Sequence, residues 1–306
     1  MSTKELRAHA SDMTKKSKKI KIGKEKAGTP YQGSIVMLII SRLVTILISL
    51  TVIYPVIFIF LTSFKDNMEF FSNIFGLPEV WRWENYVMAW VDGNIGAYAV
   101  NSVVVTITSV LLAVVLSAIA GYALSRMHIP KANLILGILV GLNFIPGVAI
   151  FISLYRQMIT MGLSGTRWML ILPYAAWAIP FSIFIFKKFF DTIPQEIIEA
   201  ARVDGSGELY TFLRVILPLV YPATATVIVF NFIGIWGEFM WANIASSAST
   251  EIITLPVGLL FFRGEFGIQW GPFAAAIVII IVPLMAVFIY FQRYFIQGLT
   301  AGSVKG

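Results

Sequence analysis

The chain has 306 residues, of which 58% are hydrophobic and only 13% are charged, and its formal net charge is +7. A soluble protein of this length would hold roughly twice that share of charged residues, so the composition excludes an ordinary soluble domain and indicates a membrane protein. The chain contains no cysteine, which excludes disulfide bonds and thiol chemistry.

The N-terminal tail, residues 1–33, is polar and carries nine lysine and arginine residues. The apolar run that follows it is too long for a cleaved signal peptide. We therefore predict a tail that orients the chain and touches anionic lipid. Nucleic-acid binding is the weaker alternative, and we expect no nucleic-acid partner.

Six stretches reach the length of about 20 apolar residues that a transmembrane helix requires. They are Ser34–Ser63, Tyr98–Leu124, Ala132–Leu154, Trp168–Phe186, Ile216–Gly237 and Phe273–Gln292. In lipid each backbone polar group needs a partner within its own segment, so each stretch must be a helix. The sequence predicts an all-α polytopic membrane protein with six transmembrane helices.

The distribution of lysine and arginine predicts the orientation of these helices. With the N-terminus inside, the cytoplasmic segments hold 17 of the 23 basic residues and the external segments hold five, while Arg42 lies within the first span. Both termini are therefore predicted to be cytoplasmic. We divide the chain into the basic tail 1–33, a first helix with an external segment 34–97, a core of five helices 98–292 and a cytoplasmic tail 293–306.

Aromatic residues are concentrated in two external segments. Trp81, Trp83, Tyr86 and Trp90 follow the first span, and residues 261–270 precede the sixth. Aromatic side chains at that depth are typical of the interfacial belt of a membrane protein, and contact with an external protein is the alternative. In residues 261–270 the aromatics alternate with glycine and polar residues, which predicts a loop and not a span.

A polar stretch of 29 residues, 187–215, separates the fourth and fifth spans on the cytoplasmic side. We predict a helix in it, from Gln195 to about Asp204. Thr192 and Gln195 have the spacing of a capping box, in which two side chains satisfy the free backbone groups at the start of a helix.

Gly205 predicts the left-handed turn that ends this helix, and the chain restarts at Ser206 or Gly207. A helix lying on lipid would present lysine and arginine to the anionic surface. Residues 195–214 instead hold four acidic and two basic side chains. The composition therefore favours a protein partner over lipid.

No segment of the sequence indicates chemistry of its own. All sixteen carboxylates lie outside the predicted spans, where ion-coupled carriers usually keep some. No phosphate-binding loop or catalytic motif occurs, and we predict no catalytic, metal-binding or cofactor-binding residue. Energy must therefore come from a partner. We interpret Asn143 and Asn231, the main polar residues inside the spans, as helix-packing groups, with pathway lining as the alternative.

The cytoplasmic stretch contains Glu199-Ala200-Ala201, then Gly205 and, ten residues later, Val215-Ile216-Leu217-Pro218. This spaced motif resembles the signature of ABC importer permeases, in which the helix before the glycine is a coupling helix. Further segments resemble the maltose-type carbohydrate importers: Asn101-Ser102, Gly121–Arg126, Leu172-Pro173-Tyr174 and Ile193-Pro194. The C-terminus, Gln297–Gly306, resembles that of their second permease subunit. Gly237 departs from the family, which often has asparagine there.

The resemblance implies a type I ABC importer permease fold and a set of partners. These are a second, different permease, a dimer of ATP-binding subunits, and an extracytoplasmic binding protein that delivers a carbohydrate of di- or oligosaccharide size. The complex would lie in a bacterial or archaeal plasma membrane. The present chain would be its non-catalytic, membrane-spanning subunit.

The resemblance also assigns residues to these partners. The ATP-binding subunits would be contacted by a coupling segment at 192–206 and just beyond it, through Glu199, Ala200, Ala201, Asp204, Gly205, Leu217 and Pro218. They would also be contacted by the tail residues Gln297, Gly302, Val304, Lys305 and Gly306. The binding protein would be contacted by Phe262, Arg263, Glu265, Phe266 and Trp270. No sugar-binding residue is assigned, because in the maltose-type pattern the other permease carries most sugar contacts.

Two functions from other classes remain as alternatives. A secondary carrier would move its substrate with an ion gradient and without ATP. A membrane scaffold would use the cytoplasmic helix only to dock a partner.

Overall fold

A computed structural model of the chain describes residues 35–264 and 267–301, with their side chains except those of Val36 and residues 293–301. Nearly every regular element in this part of the chain is helical. The α-helices are α1 Ile35–Thr62, α2 Asn67–Ser72, α3 Glu84–Val91, α4 Ile95–Arg126, α5 Ala132–Gly141, α6 Gly147–Thr160, α7 Trp168–Asp191, α8 Gln195–Val203, α9 Glu208–Tyr210, α10 Leu217–Leu219, α11 Tyr221–Trp236, α12 Met240–Ser246, α13 Leu255–Gly258 and α14 Trp270–Ala301. Turns of 3-10 helix occupy Leu142–Phe144, Thr250–Ile252 and Leu259–Phe262, and a π-helical turn occupies Thr211–Ile216. The strands β1 Arg263–Gly264 and β2 Gly267–Ile268 pair antiparallel.

The contacts within the chain divide it into two units, residues 1–56 and 57–306. Of the first unit the structure describes residues 35–56, which form the first part of α1, and every described side chain there is exposed. Because this stretch is apolar, lipid or another chain has to cover it. The second unit contains all the other described elements.

Four helices, α1, α4, α7 and α14, are long and apolar enough to cross a bilayer. They confirm the first, second, fourth and sixth predicted helices. The sixth is longer than predicted, because α14 continues without a break from Trp270 to Ala301. Residues 293–301, which we assigned to the C-terminal tail, therefore belong to this helix.

The third and fifth predicted spans are each broken, so a single straight helix is wrong for both. α5 and α6 meet at 94°, and the helical stretch Glu208–Leu219 meets α11 at 77°. At the first break Pro146 lacks an N–H group and favours the extended backbone that Ile145 adopts. Pro218 and Pro222 lie on either side of the second break. The described chain thus has four candidate spans, or up to six if each bent pair is one span.

The contact between α4 and α7 lies at the centre of the second unit. Small residues occupy every fourth position along the buried side of α4, namely Ser109, Ala113, Ser117 and Gly121. The hydroxyl of Ser109 donates a hydrogen bond to the Ile171 carbonyl at 3.3 Å, and that of Ser117 donates to the Ile179 carbonyl at 3.2 Å. Small residues at this spacing let two helix backbones approach closely within a membrane.

Gly121 is the closest of these approaches. A Cβ atom added to it would lie 2.8 Å from Cβ of Phe186 and 3.1 Å from the backbone nitrogen of Lys187. The contacts of Ser109, Ser117 and Gly121 follow the same order along both helices. α4 and α7 therefore run parallel to each other.

We predict that Gly121→Ala destabilises the protein by about 1–3 kcal/mol, because the added methyl group forces the two helices apart. The control is Gly137→Ala in α5, where an added Cβ meets nothing within 4 Å. That change should stabilise the helix by roughly 0.5–1 kcal/mol, the usual gain from replacing a helical glycine by alanine. Thermal unfolding in detergent measures both, and equal shifts for the two variants would contradict the prediction.

Candidate functional site

Helix α8 ends in a hydrogen-bonded glycine turn, as the sequence predicts. Gly205 has φ +81°, its N–H donates to the Arg202 carbonyl, and the Ser206 N–H donates to the Ala201 carbonyl, each at 3.0 Å. These are the two bonds of a Schellman motif, whose left-handed residue glycine provides without strain. The end of the helix lies within one residue of the predicted position.

The predicted capping box at the start of α8 is wrong. Pro194 is the N-cap residue and makes no side-chain cap. Thr192 still belongs to the end of α7, where its hydroxyl donates to the Phe189 carbonyl at 2.7 Å. The side-chain oxygen of Gln195 accepts a hydrogen bond from Arg126 at 3.2 Å instead of returning to the backbone.

Arg126, the last residue of α4, links three helices. Besides Gln195 of α8, its guanidinium donates to the carbonyls of Phe190 and Ile193 at the end of α7. The last carbonyls of a helix have no partner within it and carry partial negative charge, so a cation is favoured there. α4, α7 and α8 are thereby joined at one point.

Asp191 adds a second link between α4 and α7. Its carboxylate accepts hydrogen bonds from the Ser125 hydroxyl at 2.7 Å and from the Lys187 amine at 2.9 Å. Ser125 is the neighbour of Arg126, and Lys187 lies one turn before Asp191 in α7. The end of α7, to which α8 is joined, is therefore itself fixed to α4.

One face of α8 packs into the chain itself. Ile198 and Ala201 are 1% and 8% exposed. Ile198 joins a hydrophobic cluster to which α4, α7 and α11 contribute, including Tyr122, Phe186, Phe190 and Val227. Because Ala201 faces inward, it is not available as the contact residue that we assigned, whereas Ala200 is exposed and its assignment stays a prediction.

Other residues of α8, of the turn that ends it and of α9 are exposed and of mixed character. Its acidic and small residues, Glu199, Ala200, Asp204 and Gly205, are all exposed. Val203 is 87% exposed, Leu209 70% and Tyr210 59%. We call the exposed set Glu199, Ala200, Val203, Asp204, Gly205, Leu209 and Tyr210 the α8 surface. The sequence analysis did not assign its members Val203, Leu209 and Tyr210, although apolar residues in the polar stretch 187–215 were the signal that could have found them.

The turn after Gly205 is closed by an ion pair. A guanidinium nitrogen of Arg202 lies 2.6 Å from a carboxylate oxygen of Glu208, and Tyr122 of α4 donates a hydrogen bond to the same carboxylate at 3.4 Å. Both charged side chains are about half exposed, so the ion pair adds little stability. It does hold the start of α9 beside the end of α8.

The end of the motif is only partly exposed. Ile216 is fully buried, Leu217 is partly buried against the same hydrophobic cluster, and Pro218 is exposed. Leu217 follows directly on the π-helical turn, and Pro218 comes next, two residues before the bend at Val220. These residues shape the join between α8 and α11, and of the two predicted contact residues here only Pro218 is openly accessible.

Residues 263–264 and 267–268 form two short antiparallel strands, a hairpin that confirms a loop in place of a span before α14. Asn67 holds its base, because its amide donates to the Ile268 carbonyl at 3.1 Å and its oxygen accepts from the Trp270 N–H at 2.8 Å. The Trp270 ring stacks on Phe70 with centroids 4.7 Å apart. The hairpin is thus attached to the segment that follows α1.

Not every predicted contact residue of this hairpin is accessible. Phe262 is only 3% exposed and packs inside the chain, so we correct its assignment as a contact residue. Phe261, which we did not select, is 56% exposed, and Arg263 is exposed as well. Glu265 and Phe266 lie outside the described residues.

The aromatic residues after the first span form a small core of their own. Phe64 is buried, and its ring centroid lies 4.8 Å from those of Trp81 and Trp83 and 5.4 Å from that of Tyr86. Trp81 and Trp83 remain exposed on their outer sides. The cluster therefore combines packing with the exposed aromatic surface of the predicted belt.

The two asparagines inside the spans have different environments. The amide of Asn231 donates to the Ser182 hydroxyl at 2.9 Å in the interior, which confirms a helix-packing role. Asn143 is exposed and bonds only to the Val140 carbonyl of its own turn at 3.3 Å, so the packing interpretation is wrong for it. In residues 35–264 and 267–301, no group of three His, Asp or Glu side chains could hold a metal ion.

The predicted C-terminal contact residues are barely covered. Gln297 belongs to α14, of which the structure describes only the backbone at this position. Gly302, Val304, Lys305 and Gly306 lie outside the described residues, and their assignment stays a prediction.

Comparison with known proteins gives a consistent result. Residues 113–301 match the family described as binding-protein-dependent transport system inner membrane component. The chain is 37% identical over 269 residues to the diacetylchitobiose uptake system permease protein NgcG of Streptomyces coelicolor, covering 87% of this chain and 88% of that protein. It is 33% identical to the trehalose/maltose transport system permease protein MalG of Thermococcus litoralis, covering 85% of this chain and 94% of that protein.

The fold also matches a solved structure. One chain of a bacterial ABC transporter involved in the import of the acidic polysaccharide alginate superposes with a TM-score of 0.75 at 24% identity, covering 87% of this chain and all of that chain. The chain described here belongs to the inner membrane components of binding-protein-dependent transport systems and is related to the permeases of carbohydrate ABC importers.

Proposed function

We propose that this chain is a permease subunit of an ATP-driven importer of a di- or oligosaccharide and forms half of its translocation pathway. The observation that carries this proposal is the α8 surface, which presents exposed apolar and acidic side chains on the firmly anchored helix α8, on its glycine turn and on α9. The carbohydrate-uptake relatives support the substrate class. ATP hydrolysis would take place on a separate subunit, and this chain would be non-catalytic.

The anchoring of α8 explains how a partner could drive the permease. Arg126 connects α8 to α4 and α7 through hydrogen bonds, and Ile198 connects it to α11 through buried apolar contacts. A partner that pulls or pushes α8 therefore moves these long helices with it. This is the requirement for alternating access by rigid-body motion, in which the energy comes from outside the moving subunit.

The character of the α8 surface favours a protein partner. Val203 and Leu209 expose apolar area that a groove on another protein can cover, whereas Glu199 and Asp204 would be repelled by an anionic lipid surface. An ATP-binding subunit is the partner that supplies the missing energy. Two such subunits would serve this chain and a second, different permease.

Six crossings with both termini in the cytoplasm account best for the helix directions. Because α4 and α7 run parallel, the chain between them has to return across the bilayer, and the bent pair α5 and α6 can make that crossing. Near its start, α11 contributes Ala223 to the hydrophobic cluster that Ile198 of α8 joins. It ends at Trp236, whose indole donates to the Ile280 carbonyl of α14 at 3.0 Å. α14 then returns toward the cytoplasm.

The external surface would receive the sugar-loaded binding protein. Phe261 just before the hairpin and Arg263 on it are exposed, and Trp83 and Trp90 are exposed on the segment after α1. The tail 302–306 would reach the ATP-binding subunits. The bacterial and archaeal origin of the relatives supports a location in the plasma membrane of such a cell.

The proposed function predicts ATP-dependent sugar uptake by the complete complex in proteoliposomes. Labelled diacetylchitobiose, maltose and trehalose are suitable probes, because the relatives are named for them. We expect uptake of at least one only when ATP is inside and the binding protein outside. Uptake by this chain alone, driven by an ion gradient and indifferent to ATP, would establish the secondary carrier instead.

The glycine turn generates a prediction with a matched control. Gly205 has φ +81° and Gly207 has φ −70°, and neither would meet another atom within 4 Å if it gained a Cβ. Gly205→Ala therefore strains the backbone by about 1–2 kcal/mol, whereas Gly207→Ala does not.

We expect Gly205→Ala to reduce both sugar uptake and recovery of the ATP-binding subunit, with a larger loss for Gly205→Pro, which also removes a hydrogen bond. Gly207→Ala should behave as the wild type. The measurement is co-purification of the ATP-binding subunit together with uptake. A scaffold that only docks a partner would leave uptake unchanged in all three variants.

A further inference from the structure

A cavity of about 660 Å³ lies where the third span is broken. Its walls include the broken segment from Leu142 to Val148, Trp177 of α7, and Glu238 just after α11. Its volume falls within the range of about 300–1,000 Å³ that is typical of small-molecule sites. Irregular backbone at membrane depth is tolerated where it lines a cavity, because its polar groups otherwise lack partners.

Glu238 supplies a fixed acceptor at this cavity. Its carboxylate accepts hydrogen bonds from the backbone N–H groups of Trp241 and Ala242, at 2.9 and 3.1 Å, and from the Tyr174 hydroxyl at 2.5 Å. An ionised carboxylate can accept about four hydrogen bonds, so roughly one acceptor site stays available. The three donors hold the carboxylate in one orientation.

Trp177 supplies a fixed aromatic surface. Its ring centroid lies 5.9 Å from that of Phe151, 6.0 Å from that of Tyr174 and 6.2 Å from that of Trp241. Such offset and edge contacts stabilise the ring in place. The side chain is only partly buried, and its indole N–H makes no hydrogen bond to any residue the structure describes.

The charge of the lining disfavours an anionic ligand. Among the residues that the structure describes, the lining contains no lysine or arginine, and its one charged side chain is the Glu238 carboxylate. An anionic ligand would therefore meet repulsion without compensation. Asn143, whose amide donates to the Val140 carbonyl at 3.3 Å, adds a neutral polar group to the lining.

We propose that this cavity is a subsite for one ring of a neutral sugar on the translocation pathway. The face of the sugar ring packs on Trp177, and its hydroxyl groups donate to Glu238 and to the side-chain oxygen of Asn143. The assignment rests on the proposed function. It gives this subunit a direct sugar contact, which the sequence comparison with the maltose-type importers did not assign to it.

The test measures how much sugar the complete complex retains. The complex with its ATP-binding subunits is trapped by a non-hydrolysable ATP analogue and the binding protein, loaded with whichever of maltose, trehalose or diacetylchitobiose the wild type imports. Mass spectrometry then counts the sugar molecules held per complex. Assembly and basal ATP hydrolysis are recorded for every variant.

We expect Trp177→Ala to lower retention and uptake about ten-fold, since one aromatic contact contributes a factor of that order. Trp177→Phe keeps an aromatic face and should stay within about three-fold of the wild type. Trp168→Ala is the matched control, because Trp168 lies on the same helix, is 47% exposed and does not line the cavity. Ala176→Trp fills the cavity from an exposed position and should abolish retention.

Wild-type retention and uptake in both Trp177→Ala and Ala176→Trp would overturn the proposal. If Trp177→Ala fails to assemble, Ala176→Trp decides alone. Failure of both variants to assemble would also overturn it, because the cavity would then be a packing surface for the second permease. Absence of ATP-driven uptake in the wild type would overturn the proposed function as well, whereas normal wild-type uptake with unaffected variants overturns only the subsite.

Discussion

The close parallel contact of α4 and α7 is the constraint on which the rest of the second unit depends. The row Ser109, Ala113, Ser117 and Gly121 lets the two backbones meet, and at Gly121 there is no room even for a methyl group. Within lipid there is little hydrophobic gain from bringing helices together, so packing and interhelical hydrogen bonds have to supply the stability. Here Ser109 and Ser117 supply two such bonds.

This contact connects the cavity at Trp177 with helix α8, the two places that the proposed mechanism requires. α7 carries Trp177 at the cavity, and its last carbonyls, including that of Phe190, bind Arg126 next to α8. Phe190 lies thirteen residues after Trp177 on the same helix, which corresponds to about 20 Å along it. A displacement of α8 therefore reaches the cavity through one continuous helix, reinforced along its length by α4.

Much of the fold could be predicted from the sequence, because long apolar runs in lipid permit only helices. The helix ending at Gly205 could also be predicted, since a left-handed turn is a local property of the backbone. The bends at Pro146 and Val220 were missed because hydropathy measures length and composition, and a cavity or a neighbouring helix can satisfy the backbone at a break. Pro146 itself was the available signal.

The failures at the site have a common physical cause. Thr192 and Gln195 have the spacing of a capping box. Arg126, 66 residues before Thr192, instead donates hydrogen bonds to the side-chain oxygen of Gln195 and to the Ile193 carbonyl. The rotation of α8 depends on Ile198 reaching a cluster built by three other helices. The burial of Phe262 and the position of the Trp177 ring likewise depend on residues far away in the chain. Contacts between residues far apart in the chain cannot be predicted from the spacing of residues within one segment. The motif from Glu199 to Pro218 can be identified from that spacing.

The most direct test of the central claim, that the α8 surface receives the force of the ATP-binding subunit, uses the absence of cysteine from the chain. Single cysteines placed at Ala200, Val203, Ala201 and Arg263 can each be linked to neighbouring lysines by a thiol-to-amine reagent in the transporting complex. The account predicts links to the ATP-binding subunit from Ala200→Cys and Val203→Cys, with yields that change on adding ATP, and none from Ala201→Cys or Arg263→Cys. Links from Ala201→Cys alone, or none from Val203→Cys in a complex that still transports, would contradict it.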